Sequence, residues 1–568
     1  MTEFTNTNTN TNNFLDSAII SFDNDNEDNK NNDNNKKQEL HFGTLDIKSQ
    51  TLSNPLIEHL KLYLNIDISG SMSDHCKDNK SKMEHIQTII KNLLRELYKF
   101  KDQSIAIIVN GFESNIHKIL DIKCLKDLTE LQMDKDIIPK ISKLQPLNST
   151  NIEKALKTAA ANTNTNTNTN TNTNTNTNVH ILLTDGNATE GNTNPDILKT
   201  FMPKTCTNII LGIGIDYDAR ALKTISSNQE SSFKHINEAE TAGLCVGEII
   251  HSLLYETLKD LRITIANGEI YNYITGQWEN VLQVNSIASE QTKTYHIRAT
   301  NQNKVSVNLD WTTNKIPFQY TCSEFVNKDL TRYKFRQEVL ELLHIASENS
   351  KKMDKNANNN INTNLNLDLD FYSQDYDLKL ELDEKTQLYY EKKQQELKEQ
   401  KVELSRQKED QNKIKQQLKT QLIKMMCYMD ENQLQSDVFY IMLCSDLKVV
   451  LDSLGRRNAE LYITSRLTSQ GRQETYTCDP DVNELEEDII DLDLEEDVRY
   501  NRMTQQINSN SNNLKSPYAT PQQVGLMRGI SSRPMPKEFD FDLSESEDED
   551  EDEDKDDKSE DKDNKSNL

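Results

Sequence analysis

The sequence predicts an α/β protein. A doubly wound, mostly parallel sheet lies within 40–255, a small β-sandwich at 256–325 and a helical region at 328–478. The ends, 1–38 (Asn/Thr-rich) and 479–568 (acidic), read as disordered. Three observations carry this prediction. The apolar run Leu62-Tyr63-Leu64-Asn65-Ile66 reads as a buried parallel strand, ending at Asp67 where the chain turns toward a helix. Met83, Ile86, Ile89, Ile90, Leu93, Leu94 and Leu97 then recur at helical spacing as one apolar stripe. From Leu261 onward the apolar period drops to two, as in half-buried strands.

The elements follow in order. Residues 1–38 are mostly Asn, Thr and Asp, with little to bury. A short lead-in strand is expected at 41–47. The first helix, 82–100, opens on the capping box Ser81-x-x-Glu84. Strands are expected at 104–110 and 115–122, the second as an antiparallel edge, and a helix at 152–161. The Asn-Thr repeat makes 162–178 a low-complexity surface insertion, whose entropic cost grows only slowly with length. Strands resume at 179–185, 208–215 and 233–236, and a closing helix spans 238–255. Gly212-Ile213-Gly214 lacks the third glycine of a dinucleotide-binding turn. Alternation at 262–265, 293–297 and 305–311 builds the sandwich.

Farther on, a helix is expected at 335–346, a linker at 350–370 and a long charged helix at 378–426. In that helix Tyr390, Leu397, Leu404, Leu418 and Met425 keep a seven-residue spacing, but of the second seam only Ile414 is apolar. A stripe packed on its own chain and a self-associating coiled coil both fit that pattern. A buried helix at 438–454 and a polar, basic segment at 466–473 complete the region. Ser516-Pro517 and Thr520-Pro521 are candidate proline-directed phosphorylation sites, and Ser544 and Ser546 candidate acidic-directed ones.

The chemistry concentrates at Asp67-Ile68-Ser69-Gly70-Ser71. One carboxylate and two hydroxyls converge at the carboxyl end of a strand, where open α/β sheets place their sites. Such a cluster suits a hard divalent cation that keeps open positions. This segment resembles the Asp-x-Ser-x-Ser loop of the metal-ion-dependent adhesion site in von Willebrand factor type A domains. Asn148-Ser149-Thr150-Asn151-Ile152 is similar to that family's second site loop, and Val179 to Gly186, ending Thr184-Asp185-Gly186, to its third. The resemblance covers roughly 58–255. It implies a metal site formed by Asp67, Ser69, Ser71, Thr150 and Asp185. The hydroxyls would contact Mg2+ (or Mn2+) directly, and the carboxylates would act through water or as acceptors for those hydroxyls. A partner's Glu or Asp would fill the open position. It also implies an intracellular type of the family, with a β-sandwich and a helical region following. The sequence departs from the family at Ser149, where many relatives have glycine, and at 74–80, which lengthens the path to the first helix. Thr150-x-x-Glu153 equally reads as a helix capping box.

Composition narrows the function classes. The formal net charge is −27, and the two runs 479–499 and 544–568 each carry −10. The remainder is mildly acidic, which argues against a nucleic-acid-binding face. No apolar run reaches the ~20 residues of a membrane span, and no signal peptide pattern opens the chain. Eight cysteines without close pairs fit free thiols in a reducing compartment. Glycosylation at the Asn148 and Asn187 sequons would obstruct the proposed metal face, so an intracellular, cytoplasmic protein is expected rather than a secreted one. The function expected is non-enzymatic, metal-dependent binding of an acidic residue on a protein partner. One alternative is a scaffold whose metal only stabilises the fold. Another is a metal-dependent phosphatase with Asp67 as nucleophile, for which no second acid stands at the general-acid position.

Overall fold

The computed structural model describes residues 14–23, 40–57, 59–147, 149–164, 176–214, 217–227, 231–313, 315–361, 384–456, 459–476 and 516–532. Its first sheet has six strands in the spatial order Ile116–Ile122, Ser104–Phe112, His59–Asp67, Asn176–Thr184, Thr207–Ile213, Ser231–Ile236. All neighbours are parallel except the edge strand Ile116–Ile122, which is antiparallel. The two central strands are adjacent, with Ile66 opposite Leu183, so Asp67 and Thr184 leave the sheet side by side at its carboxyl edge.

Helices cover both faces, so the central strands are largely apolar, interrupted by the buried, hydrogen-bonded pair Asn65 and His180. Lys82–Tyr98, Ala242–Leu254 and Pro521–Ile530 pack on one face, with Ile86, Leu94, Ile250 and Met527 in a shared core. On the other, Ile152, Leu156, Leu198 and Leu222 cover Leu182 and Ile210. The Ser81–Glu84 capping box is formed. The fold class read from the sequence holds, but three segments differ from expectation.

The first is the amino-terminal segment, expected to be disordered over 1–38. Leu15–Asp23 is a strand. It pairs antiparallel with His41–Ser49, which in turn pairs with Thr292–Ala299, and parallel with Phe325–Lys328. His41–Ser49 is thus an interior strand of the sandwich, not a lead-in to the first sheet. The reason lies in alternation: Ala18, Ile20 and Phe22 are buried in the sandwich core, with Phe22 edge-on to Phe325 at 5.4 Å. The sandwich faces this sheet with a second one built on Glu256–Ala266, Ser306–Thr313 and Ile316–Cys322. The α/β domain is therefore inserted within the sandwich rather than placed before it. Residues 1–13 and 24–38 of the expected disordered end lie outside the described residues, as do 165–175 of the Asn-Thr insertion.

The second is the acidic end. Pro521–Ile530 is a helix whose Thr520 side chain accepts from the Gln523 amide. Val524, Leu526, Met527 and Ile530 are buried, an apolar set lost when composition is averaged over the whole end. The helix lies against Ala242–Leu254 through Gly243 and Gly247. A Cβ at Gly247 would fall 2.5 Å from Met527 Cα, and one at Gly243 2.7 Å from Ser531 Cα. Of this end, 479–515 and 533–568 lie outside the described residues.

The third is the helical region. Thr331–Ile361 runs through much of the expected 350–370 linker, and 362–383 lies outside the described residues. In Glu384–Glu431, Ile414, Leu418, Leu422 and Met425 are buried against Phe335, Leu343 and Leu447 of the same chain. Val402 and Leu404 nearer its start are 70% and 42% exposed. The side chains of Tyr390 and Leu397 lie outside the described residues. The stripe is thus packed intramolecularly over its carboxyl-terminal part.

The polar segment 466–473 is buried. Arg466 donates to Asp446 at 2.8 Å, and the Gln470 carbonyl accepts from Arg336 at 2.7 Å. The Gln473 side chain accepts from the Thr294 amide at 2.8 Å. This segment joins the helical region to the sandwich. Among the described residues, no helix is long and apolar enough to cross a membrane.

Candidate metal centre

Asp67 is fully buried, and both of its oxygens have partners. Oδ1 accepts from the Ser69 amide at 2.8 Å, and Oδ2 accepts from the Thr184 hydroxyl. The first bond turns the chain sharply after the strand. The turn Gly70–Ser73 follows, anchored by the buried Met72, and points Ser69 and Ser71 back toward the sheet edge. Their hydroxyls are 3.1 Å apart. The Leu147 amide donates to the Ile68 carbonyl, which brings the second loop alongside.

Thr150 is held by its backbone. Its amide donates to Thr189 Oγ1 at 3.0 Å, and its carbonyl accepts from the Thr189 and Glu190 amides. The cap of the following helix is made by Asn151, whose Oδ1 accepts from the Lys154 amide at 2.9 Å. The capping-box reading of Thr150 is thereby corrected: Glu153 instead accepts from Asn192 and Lys157. Ser149, the departure noted in the sequence, bonds to Ser114 and to Glu190, tying this loop down on both sides.

Asp185 closes the group. Oδ1 accepts from Ser71 Oγ at 2.7 Å. A Cβ built on the next residue, Gly186, would lie 3.6 Å from Ser71 Oγ and 3.7 Å from Thr150 Oγ1. The two hydroxyls therefore both face the space beside Gly186. All five residues singled out in the sequence meet at this edge.

The sequence reading missed Lys82. Its ammonium is 2.8 Å from Asp185 Oδ2 and 3.5 Å from Asp74 Oδ2, and its side chain is only 14% exposed. Burial works to lower the Lys82 pKa, but Asp185 and Asp74 outweigh it, and the net shift is upward. A signal was present. Lys82 is the first residue of its helix, where the helix dipole disfavours a cation, so a local carboxylate must hold it there. Thr184 was quoted within its motif but given no role; it fixes the second oxygen of Asp67.

The donors fit a hard divalent ion. Three hydroxyls and two carboxylates meet at one edge, all oxygen, with no soft ligand among them. The two buried carboxylates and the Lys82 ammonium leave a local charge of −1, which favours a further cation. Ser69, Ser71 and Thr150 are the residues that would hold it. Asp67, with both oxygens engaged, and Asp185 act as acceptors that orient the hydroxyls.

Residues 62–245 match the family model of the von Willebrand factor type A domain. Solved structures with similar folds include a von Willebrand factor type A protein from Catenulispora acidiphila, at 13% identity and a TM-score of 0.36, covering 61% of this chain and 83% of that one. The ArnB paralog VWA2 from Sulfolobus acidocaldarius has 13% identity and a TM-score of 0.36, covering 77% and 94%. Proximal thread matrix protein 1 from the mussel byssus, with a zinc-occupied MIDAS motif, has 18% identity and a TM-score of 0.27, covering 37% and 47%. A comparison with curated proteins gives no match.

Proposed function

We propose that this chain, a von Willebrand factor type A domain protein by its residues 62–245, is a non-enzymatic binding module. It captures a Glu or Asp side chain of a protein partner through Mg2+ (or Mn2+) held by Ser69, Ser71 and Thr150. One observation carries this reading: hydroxyls from separate loops converge over Gly186, with Asp185 accepting from Ser71. When bound, the ion supplies an electrophilic position for an incoming carboxylate oxygen. Asp67 and Asp185 keep the hydroxyl oxygens aimed at that position. The engagement of both Asp67 oxygens by Ser69 and Thr184 makes it a poor nucleophile and supports a non-enzymatic role. Seven free thiols among the described residues support a reducing, intracellular setting in the cytoplasm.

The full chain is the right material for a test, because a fragment of 40–330 would remove the sandwich strand Leu15–Asp23 and the helix Pro521–Ile530. Mg2+ titrated calorimetrically into the full chain should fill one site. Proteins retained from a lysate of the source cells on immobilised chain in Mg2+ should be released by EDTA. Retention that EDTA leaves intact, alongside a lowered melting temperature, would favour the scaffold reading. The near-complete burial of Asp67 and Asp185 is the observation on that side.

Lys82 sets a second expectation. Its ammonium competes electrostatically with any cation near Asp185. At about 4 Å and an effective dielectric constant near 20, one unit-charge pair is worth ~4 kcal/mol. Even after solvent screening, Lys82→Met should tighten Mg2+ about tenfold by calorimetry, which is ~1.4 kcal/mol. Weaker binding in that variant would instead make Lys82 a positioning residue for Asp185.

A further inference from the structure

The segment 74–80, which lengthens the path from the first site loop to the first helix, carries chemistry of its own. It folds as a tight turn. The Cys76 amide donates to the Lys80 carbonyl, the Asn79 amide donates to the Cys76 carbonyl, and Asn79 sits in the left-handed region at φ 64°. The turn sets Cys76 and Asp78 against His85 of the first helix and Glu240, just before Ala242–Leu254. The Cys76 sulfur, a ring nitrogen of His85 and a carboxylate oxygen of Glu240 lie within 4.8 Å of one another. His85 and Glu240 are buried, and Cys76 is half-buried.

The imidazole is oriented as a metal ligand requires. Ser532 Oγ donates to the Glu240 carbonyl, so its oxygen can only accept from His85 Nδ1–H, 3.0 Å away. Nδ1 is thereby committed to an outer partner, and Nε2 faces Asp78 Oδ1 at 3.0 Å. Metal-ligating histidines usually donate their outer N–H in this way, and zinc would take Nε2 in place of its hydrogen bond to Asp78. The charges agree as well. A dication holds the bound sulfur as thiolate, and its +2 balances the Cys76 thiolate and the Glu240 carboxylate.

We propose that Cys76, His85 and Glu240 form a zinc site separate from the Ser69/Ser71/Thr150 centre, with water completing the tetrahedron. Thiolate, imidazole and carboxylate make a zinc donor set, whereas the first centre offers only hard oxygen. The site staples the 74–80 turn to the first helix, to the start of Ala242–Leu254 and, through Ser532, to the segment after Pro521–Ile530. It does not depend on the partner-binding reading of the first centre.

The test uses reduced, metal-free full chain. Titration with Co2+ should produce one equivalent of a thiolate-to-cobalt charge-transfer band with tetrahedral visible absorption, both displaced by Zn2+. Asp185→Ala, which damages only the oxygen centre, should retain the band. Cys76→Ser should abolish it, and Glu240→Gln should weaken Zn2+ at least tenfold. On the unaltered protein, Zn2+ should shield Cys76 from iodoacetamide, mapped by peptide mass spectrometry, while the similarly half-buried Cys124 and Cys427 stay reactive. No charge-transfer band in the unaltered protein, a band that survives Cys76→Ser, or equal labelling of Cys76 with and without Zn2+ would overturn the proposal.

Discussion

Asp446→Ala should destabilise the helical region by about 3–5 kcal/mol, the usual cost of removing one partner from a buried ion pair. Asp446 is fully buried, and the Arg466 side chain is 2% exposed. Asp446 Oδ1 accepts from Arg466 at 2.8 Å, and Oδ2 accepts from Gln470 Nε2 at 2.5 Å. Alanine would leave a guanidinium and an amide buried without their acceptor, plus a void. The effect should spread. The Gln470 carbonyl holds Arg336, which also donates to the Thr294 carbonyl of the sandwich. Urea titration followed by far-ultraviolet circular dichroism should show the midpoint moving down, with protease cutting appearing first within 331–476. A loss under 1 kcal/mol would show that water reaches the pair.

The second large effect is expected at Asp67. Asp67→Ala should weaken Mg2+ by about 10–100-fold, the range for an outer partner that orients ligands, because the Ser69 amide and the Thr184 hydroxyl lose their acceptor. The metal-free melting temperature should change little or rise. Burial pushes the Asp67 carboxyl up to about 6, against the pull of its Thr184 and Ser69 hydrogen bonds, so the ionised group is held at a cost to the fold. Calorimetric titration and thermal melts of the same variant separate the two quantities. Unaltered Mg2+ affinity would remove Asp67 from the centre, and a collapse in metal-free stability would make it a structural residue.

What could be read in the sequence follows from range. A buried parallel strand is a continuous apolar run, so Leu62 to Ile66 and Val179 to Leu183 announced themselves, and each carried a site loop at its end. Asp185 was legible because the loop after a central strand has one place to go, and Thr150 because Asn148-Ser149-Thr150-Asn151-Ile152 resembles the second site loop of the family. Leu15–Asp23 was not. Its apolar set is short, it sits among Asn-rich neighbours, and its parallel partner Phe325–Lys328 lies some 300 residues away. Pro521–Ile530 was masked by acidic flanks, although Gly243 and Gly247 already mark a helix face shaped for close approach. Lys82 and the Cys76/His85/Glu240 cluster depend on how the 74–80 turn folds, which no local window shows. The burial of the polar, basic segment 466–473 was not legible, because its partners, Asp446, Arg336 and Thr294, are spread over three elements.

The split sandwich also dictates an order of events on the ribosome. Leu15–Asp23 and His41–Ser49 emerge as a hairpin, but the next strand beside them, Thr292–Ala299, follows only after about 240 more residues. At ~5–20 residues per second that is a wait of roughly 10–50 s with a bare backbone edge. The intervening 59–254 can finish its own sheet in that interval. The Asn- and Thr-rich sequence before the first strand and the Asn- and Asp-rich sequence after it suit the delay, since polar flanks discourage the waiting edge from pairing with a neighbouring nascent chain.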